Sequence, residues 1–284
     1  MLTHWRPLAL VGALAVCIVA PGYPADSIKE VNRKIVPAQK VDNSLDHIDV
    51  FEGIEKGVLD VKMIPKDAMG GNMLIENKGD KPLNVDFPGA FIGKQVLKQF
   101  GGQQGGGGGG FGGGGQGGGQ GGGGQQQGGG CGGGGQQGGG GGGFFSVPAD
   151  KVVRVAYRSV CLEHGKPEPS SRMTYRIGKV EEFSDNPVLE ETLKLVASGQ
   201  LDPQAGQAAT WHITDKMSWE QLTAKSIPHI GRPATPYFSA ETLLRAQNIH
   251  VAAVARAKER QKSDNSSVAS AKRSPGTAPT VNRD

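Results

Sequence analysis

Cysteine is scarce in this sequence, whose 284 residues include only Cys17, Cys131 and Cys161. If Cys17 is removed with an N-terminal leader, two cysteines remain. That number is far below the dense, even count typical of small domains held together by disulfides. Stability must therefore come from a packed hydrophobic core, and the chain is long enough for one ordinary domain or two small ones.

The sequence also lacks an apolar segment of the roughly 20 residues that span a bilayer. Its apolar run at residues 8–20 is shorter, follows Arg6 and precedes the proline- and glycine-containing residues 21–25. This is the three-part arrangement of a secretory signal peptide. We predict a signal peptide over residues 1–25 and a secreted, periplasmic or cell-envelope protein that is not integral to a membrane.

Strong charge is missing as well, because the formal net charge is only +4. Such a small, scattered excess does not indicate a polyanion as partner. A glycine-rich tract at residues 101–143 contains no charged residue, whereas RNA-binding RGG segments need arginine. It also lacks the Lys-Ser/Thr helix start of a phosphate-binding loop. We predict no nucleic-acid partner and no cofactor.

What the tract does contain is 32 glycines, nine glutamines, Phe111 and Cys131. Such a composition predicts a disordered insertion that forms no core. Its ends can meet at little entropic cost, so it can connect neighbouring strands. We interpret it as a spacer, adhesive or matrix-contacting segment, in which Cys131 is a candidate for cross-linking chains.

Strand-like alternation lies on both sides of the tract. Leu59, Val61 and Met63 share one face of a predicted strand, and further strands are predicted at 72–76, 83–87 and 95–98. After the tract, 144–147 and 152–161 continue the pattern. We predict a flexible arm at 26–44 and then a small antiparallel β-sandwich-like module, formed by 45–100 and 144–180, with meander connections.

The second half of the chain has helix-start signals. The pairs Asn186-Pro187 and Asp202-Pro203 predict helices to about residues 198 and 214, and Ser218 with Gln221 forms a capping box for a third. Ser239 begins a last helix to about 261, after a predicted loop at 227–236. The fold class is therefore α+β, with a helical module at 181–261 and a disordered tail at 262–284.

Two short segments resemble a known family. The segment Cys161-Leu162-Glu163-His164-Gly165-Lys166-Pro167 ends a predicted strand, and Gly206-Gln207-Ala208-Ala209-Thr210-Trp211 lies in a predicted helix. Together they are similar to the thioester domains of Gram-positive surface adhesins, although Gly206 stands where that family has threonine. The resemblance implies an internal thioester between Cys161 and Gln207 that acylates a host amine. The residue pattern alone also fits a core cysteine on an apolar strand face.

The order of segments along the whole chain resembles secreted proteins of planctomycete-type bacteria. The features that carry it are the leader, the β module, the glycine-rich insertion, the Cys161 segment and the stretches around Gln207 and Trp219. This resemblance implies export and brings no activity with it.

Metal binding and catalysis are also possible from the residue types present, but the spacing of the candidates does not single out one site. Cys161, Glu163, His164 and His212 are candidate metal ligands, since cysteine and histidine suit borderline metals. Candidate catalytic groups are Cys161 with a histidine, or the carboxylates of Glu181, Glu182, Glu190 and Glu191. These carboxylates also fit helix starts, where negative charge is favourable.

Three hypotheses follow. The first is an exported, non-enzymatic structural or interaction protein of the envelope or extracellular space, whose macromolecular partner is unknown. The second is a covalent adhesin with a Cys161–Gln207 thioester. The third is an exported metal-binding or enzymatic domain.

Overall fold

The computed structural model describes residues 34–96, 126–130 and 143–271, with side chains as far as 266. The predicted signal peptide, residues 26–33 of the predicted arm, Cys131 with most of the tract, and the last residues of the predicted tail lie outside the described residues. Among the described helices, none combines the length and apolar character needed to cross a bilayer.

The chain has a mixed α+β architecture of twelve described strands, five described α-helices and a 3-10 helix at Val180–Glu182. The strands are β1 (Ile35–Pro37), β2 (His47–Asp49), β3 (Leu59–Asp67), β4 (Gly70–Asn77), β5 (Leu83–Asp86), β6 (Phe91–Gln95), β7 (Gln127–Gly130), β8 (Phe144–Val147), β9 (Val152–Cys161), β10 (Tyr175–Gly178), β11 (Ser226–His229) and β12 (Arg232–Pro236). The helices are α1 (Val50–Glu55), α2 (Pro187–Ala197), α3 (Pro203–Thr214), α4 (Trp219–Ala224) and α5 (Ala240–Ala271).

Seven strands form one barrel-like sheet in the order β1-β9-β4-β3-β10-β6-β7, and β7 also pairs with β9. The second pairing joins the sheet to itself, as the closure of a barrel requires. The predicted sandwich is not confirmed by these pairings. The α+β class is confirmed, and the strand-rich part is barrel-like.

The strand that closes the barrel comes from the glycine/glutamine tract. Residues Gln127–Gly130 pair antiparallel with β6 on one side and with β9 on the other, and all four are buried. The prediction that no residue of the tract joins a core is wrong for this segment. An ordinary strand is identified in sequence by its apolar pattern, which this segment lacks. It is held instead by main-chain hydrogen bonds on both edges and by neighbours that fill the space a side chain would occupy.

A second sheet of three strands, in the order β2-β5-β8, packs beside the barrel. Val85, Phe145 and Val147 of this sheet belong to the same buried cluster as Met63 and Ile75 of the barrel. The predicted meander therefore stops after β4, because β5 leaves the barrel for this sheet. Order also begins before residue 45, since β1 pairs in parallel with β9.

The four predicted helix starts are observed, the last of them at Ser239, whose hydroxyl accepts from the amide of Thr242 at the start of α5. Asn186 and Asp202 accept hydrogen bonds from the amides of Val188 and Gln204, each with a proline at the first turn. Ser218 and Gln221 form the predicted capping box of α4. Helix α2 packs onto the barrel through Leu189, Leu193 and Val196, which share a cluster with Val160 of β9 and with Leu162 directly after it, among others.

Two predictions about the C-terminal half are wrong. The segment expected to be a loop forms the hairpin β11–β12, with Ile230 fully exposed near its tip. Helix α5 continues past residue 261, so residues 262–271 of the expected tail are helical. Side chains 261–266 are all exposed, which leaves these turns without the packing that holds the earlier part of α5.

Candidate functional site

A cavity of about 400 Å³ lies where β9 ends against α3. We call it the Cys161 cavity. Its walls come from the turn between β3 and β4, the loop after β9, helix α3, and the residues on either side of the β11–β12 hairpin. The lining residues are Asp67, Ala68, Met69, Cys161, Glu163, His164, Gly165, Lys166, Glu168, Gln204, Gln207, Trp211, Lys225 and Tyr237.

The structure brings together Cys161 and Gln207, which are 46 positions apart in the chain. The main-chain N–H of Cys161 donates to Oε1 of Gln207 at 2.8 Å, and Nε2 of Gln207 donates to the carbonyl of Cys161 at 2.8 Å. Both residues are buried. The amide of Gln207 therefore binds the end of β9 as a neighbouring strand would.

Small residues let α3 approach β9 closely enough for this contact. Ala205, Ala208 and Ala209 are fully buried, and a Cβ on Gly206 would lie 3.0 Å from Val196 of α2. Bulkier side chains at these positions would hold the helix away from the barrel. The alanine- and glycine-rich stretch around Gln207 therefore has a packing role whatever its chemistry.

A lysine sits over the aromatic side of the cavity. Nζ of Lys225 lies 2.8 Å from Nε2 of His164, 4.7 Å from the ring centre of Tyr237 and 5.4 Å from that of Trp211. The His164 ring also packs edge-on against Trp211, with centroids 4.8 Å apart. Lys225 thus joins the loop after β9 to α3 through a hydrogen bond and cation–π contacts.

Hydrogen bonds to acidic side chains also hold the loop after β9 in place. The N–H of His164 donates to Asp215 at the end of α3, and Glu163 accepts hydrogen bonds from the N–H of Gln126 and from Lys166. These bonds tie the cavity to both α3 and the strand that closes the barrel.

Burial changes several pKa values around this site. Burial, followed by the nearby Lys225 cation, lowers the pKa of His164. Burial, with a smaller contribution from Cys161, raises the pKa of Tyr175 to about 12. The pKa of Tyr237 is raised by burial and then by Glu168 and Cys161. His164 is accordingly a neutral imidazole and both phenols are protonated at neutral pH.

Stability is expected to fall on acidification. Burial lowers the folded-state pKa of His164 and also that of His250, where His212 adds to the effect. On unfolding, the pKa of each histidine returns toward 6.5. As the pH falls through this value, the unfolded state therefore binds more protons than the folded state. The melting temperature should decrease between about pH 7.5 and about pH 5.5, and His250→Gln should reduce that decrease. An unchanged slope in the variant would contradict the assignment.

The candidate catalytic carboxylates are not gathered at this cavity. Glu182 forms an ion pair with Lys94, while Glu190 and Glu191 contact Lys194 and Arg260. The second group joins α2 to α5. Glu181 lines a different cavity, beside Lys179 and Phe51.

The four candidate metal ligands are divided as well. Cys161, Glu163 and His164 line the Cys161 cavity, whereas His212 lines another with His250. Nδ1 of His212 contacts the carbonyl of Met217 at 2.8 Å, and its ring stacks on Trp219. Within residues 34–96, 126–130 and 143–271, no three side chains of the metal-binding types are grouped to hold an ion.

Several residues of the cavity were missed by the sequence analysis. Lys225, Tyr237 and Gln204 carry no motif, and Asp67 lies far from the Cys161 segment in sequence. Only the fold places them together. The helical periodicity does place Gln204 on the same face as Gln207 and Trp211, but it does not predict a cavity there.

Comparisons with known proteins return no match: no protein-family model fits the chain, and neither curated proteins nor solved structures show significant similarity. Function must therefore be argued from the site.

Proposed function

We propose that this chain is an exported, non-enzymatic attachment protein of the cell envelope or extracellular space. Cys161 and Gln207 condense into an internal thioester, and the thioester captures an amine of a macromolecular partner. The observation that supports this proposal is the pair of 2.8 Å hydrogen bonds between the Gln207 amide and Cys161, made at the wall of an open cavity.

The chemistry is balanced without a further reagent. The thiol sulfur of Cys161 attacks Cδ of Gln207, the C–N bond breaks, and Nε2 leaves as ammonia with the thiol proton. An amine then attacks the same carbon, the C–S bond breaks, and the thiol regains a proton. The product is an amide between the protein and its partner.

The contacts of Gln207 favour the first step. The N–H of Cys161 points at Oε1, the atom on which negative charge develops when the thiol adds to the carbonyl. A donor already in place at that oxygen stabilises the tetrahedral intermediate. Because both residues belong to packed elements, they meet at high effective concentration.

The intact mass of the secreted protein tests the proposal. We expect the native mass to be lower by one ammonia than the leaderless sequence requires, and to rise by one methylamine after incubation with that amine. Gln204→Ala should behave like the wild type, because Gln204 lines the same cavity but its Oε1 makes no hydrogen bond in the described structure. Cys161→Ala and Gln207→Ala should show neither change.

An unmodified native mass would contradict the thioester and favour a second candidate function, non-covalent attachment through the same cavity. The observation that favours it is that both polar ends of the Gln207 amide already have main-chain partners. Retention on washed envelope fractions separates the two. Covalent attachment survives a denaturing wash and is lost in Cys161→Ala, whereas non-covalent attachment is removed by the wash.

A further inference from the structure

Strand β7 occupies a groove whose contacts limit which residues can bind there. We call it the β7 slot, the space between the facing edges of β6 and β9. Gly128 lies opposite Ile92 on one side and Val160 on the other, and Gly129 lies opposite Phe91 and Ser159. An occupant therefore binds through main-chain hydrogen bonds along both edges, as in other strand-addition sites.

Steric contacts favour glycine at three successive positions of the occupant, most strictly at the last two. A Cβ at Gly129 would lie 2.0 Å from the carbonyl oxygen of Arg158, which belongs to the main chain. At Gly128 it would lie 2.6 Å from the side chains of Leu162 and Leu193, and at Gly130 2.5 Å from Cβ of Ala197. At Gly129 and Gly130 the neighbours are main-chain or Cβ atoms that cannot move aside, whereas at Gly128 the ends of two leucine side chains would have to shift.

The position before these glycines selects glutamine. Gln127 is fully buried, its Nε2 donates to the carbonyl of Asp67 at 3.0 Å, and its Oε1 accepts from the hydroxyl of Tyr157 at 3.2 Å. A side chain without the donor or without the acceptor would leave the Asp67 carbonyl or the Tyr157 hydroxyl without this hydrogen bond, which is costly for a buried group. The slot thus recognises Gln-Gly-Gly-Gly.

The tract contains this tetrad five times, at 104–107, 116–119, 120–123, 127–130 and 137–140. We propose that the β7 slot binds any of these tetrads and that they exchange in it, so that 127–130 is one of several occupants. Because the five tetrads have the same sequence, each can make the same contacts in the slot, and the register is not fixed to one of them.

Chain length permits the exchange. With 116–119 in the slot, residues 96–115 would connect back to β6 and residues 120–143 would connect on to β8. Loop closure entropy changes only with the logarithm of loop length, so redistributing residues between the two connections costs little. Exchange would change the lengths of the two glycine-rich connections while the barrel stays closed.

Valine substitutions at the third residue of the tetrads test this inference. Gly129→Val disables only the occupant seen here, and we expect it to keep the wild-type melting temperature because another tetrad takes its place. The combined variant Gly106→Val, Gly118→Val, Gly122→Val and Gly139→Val leaves 127–130 intact and is the matched control. All five substitutions together should lower the melting temperature by about 10 °C or more.

Hydrogen–deuterium exchange with residue-level fragmentation gives the direct readout. In Gly129→Val, slow-exchanging amides should move from 127–130 to another tetrad. If Gly129→Val is instead as unstable as the five-site variant and protection is lost, the register is fixed and the inference is overturned. A Gly129→Val protein that recovers protection only as a concentration-dependent dimer would also overturn it, because the slot would then be filled by a second copy.

Discussion

Gln207→Ala is expected to lower the free energy of unfolding by about 2–4 kcal/mol, since each buried main-chain group that loses its hydrogen bond costs about 1–3 kcal/mol. The two groups are the N–H and the carbonyl of Cys161, both bonded to the Gln207 side chain. Alanine cannot reach either one. Urea denaturation measures the change in a Cys161→Ala background, where no thioester can form and the main-chain groups of residue 161 keep both bonds to the intact Gln207 amide.

Gln204→Ala is the matched control for this variant. Gln204 lies on the same helix and lines the same cavity, but it is only partly buried and its Oε1 makes no hydrogen bond in the described structure. We expect a change within about 0.5 kcal/mol. Equal effects of the two substitutions would show that the amide of Gln207 does not hold the end of β9.

Asn84→Ala should be similarly destabilising, by about 2–4 kcal/mol. Asn84 is fully buried in β5; its Nδ2 donates to the carbonyl of Asp42 at 2.8 Å and lies 3.0 Å from Nε2 of His47. Its Oδ1 accepts from the hydroxyl of Ser146. One amide thus connects the N-terminal segment, β2 and β8, and its loss should free all three contacts at once.

An exposed asparagine in the barrel is the control for Asn84. Asn72 lies in β4 opposite Ile64 and Ala156, with its side chain exposed. Asn72→Ala should change stability by less than about 0.5 kcal/mol. In Asn84→Ala alone, hydrogen exchange should also accelerate in residues 34–49; unchanged exchange there would contradict the connecting role.

Much of the fold could be predicted from local pattern. The alternation of apolar and polar residues predicted the strand Val152–Cys161 with its observed bounds, because one face of this strand lies toward the core and the other is partly exposed. The starts of α2, α3 and α4 could be predicted because capping is a local interaction within a few residues. Such elements carry their own signal in adjacent positions.

The closing strand of the barrel carries no such signal. Gln127–Gly130 has no apolar side chain, and what makes it a strand is the shape of its neighbours, above all Leu193 and Ala197 of α2. Composition therefore predicted disorder. The hairpin β11–β12 was also missed. Its prolines predicted a loop, but both strands are exposed at the surface, where a strand tolerates proline because its free edge needs no hydrogen-bond donor.

The candidate site was partly predictable. The motif resemblance paired Cys161 with Gln207, and the structure places them in contact. It could not reveal Lys225 or Tyr237, because their contribution depends on how the chain returns to the cavity around the hairpin. Nor could spacing tell that His212 faces α5 and His250 instead of the cysteine.

The pairing of β9 with three other strands dictates when the barrel can fold. Strands β1, β4 and β7 all bond to it, and β3 and β6 need β10. A nascent chain that ends before residue 152 can form the β3–β4 hairpin and the three-stranded sheet, but both outer edges of the hairpin stay open. These long-range pairings make folding slow, and open edges invite association with other chains. The chain is thus most vulnerable to aggregation before its last barrel strand, ending at Gly178, has been synthesised.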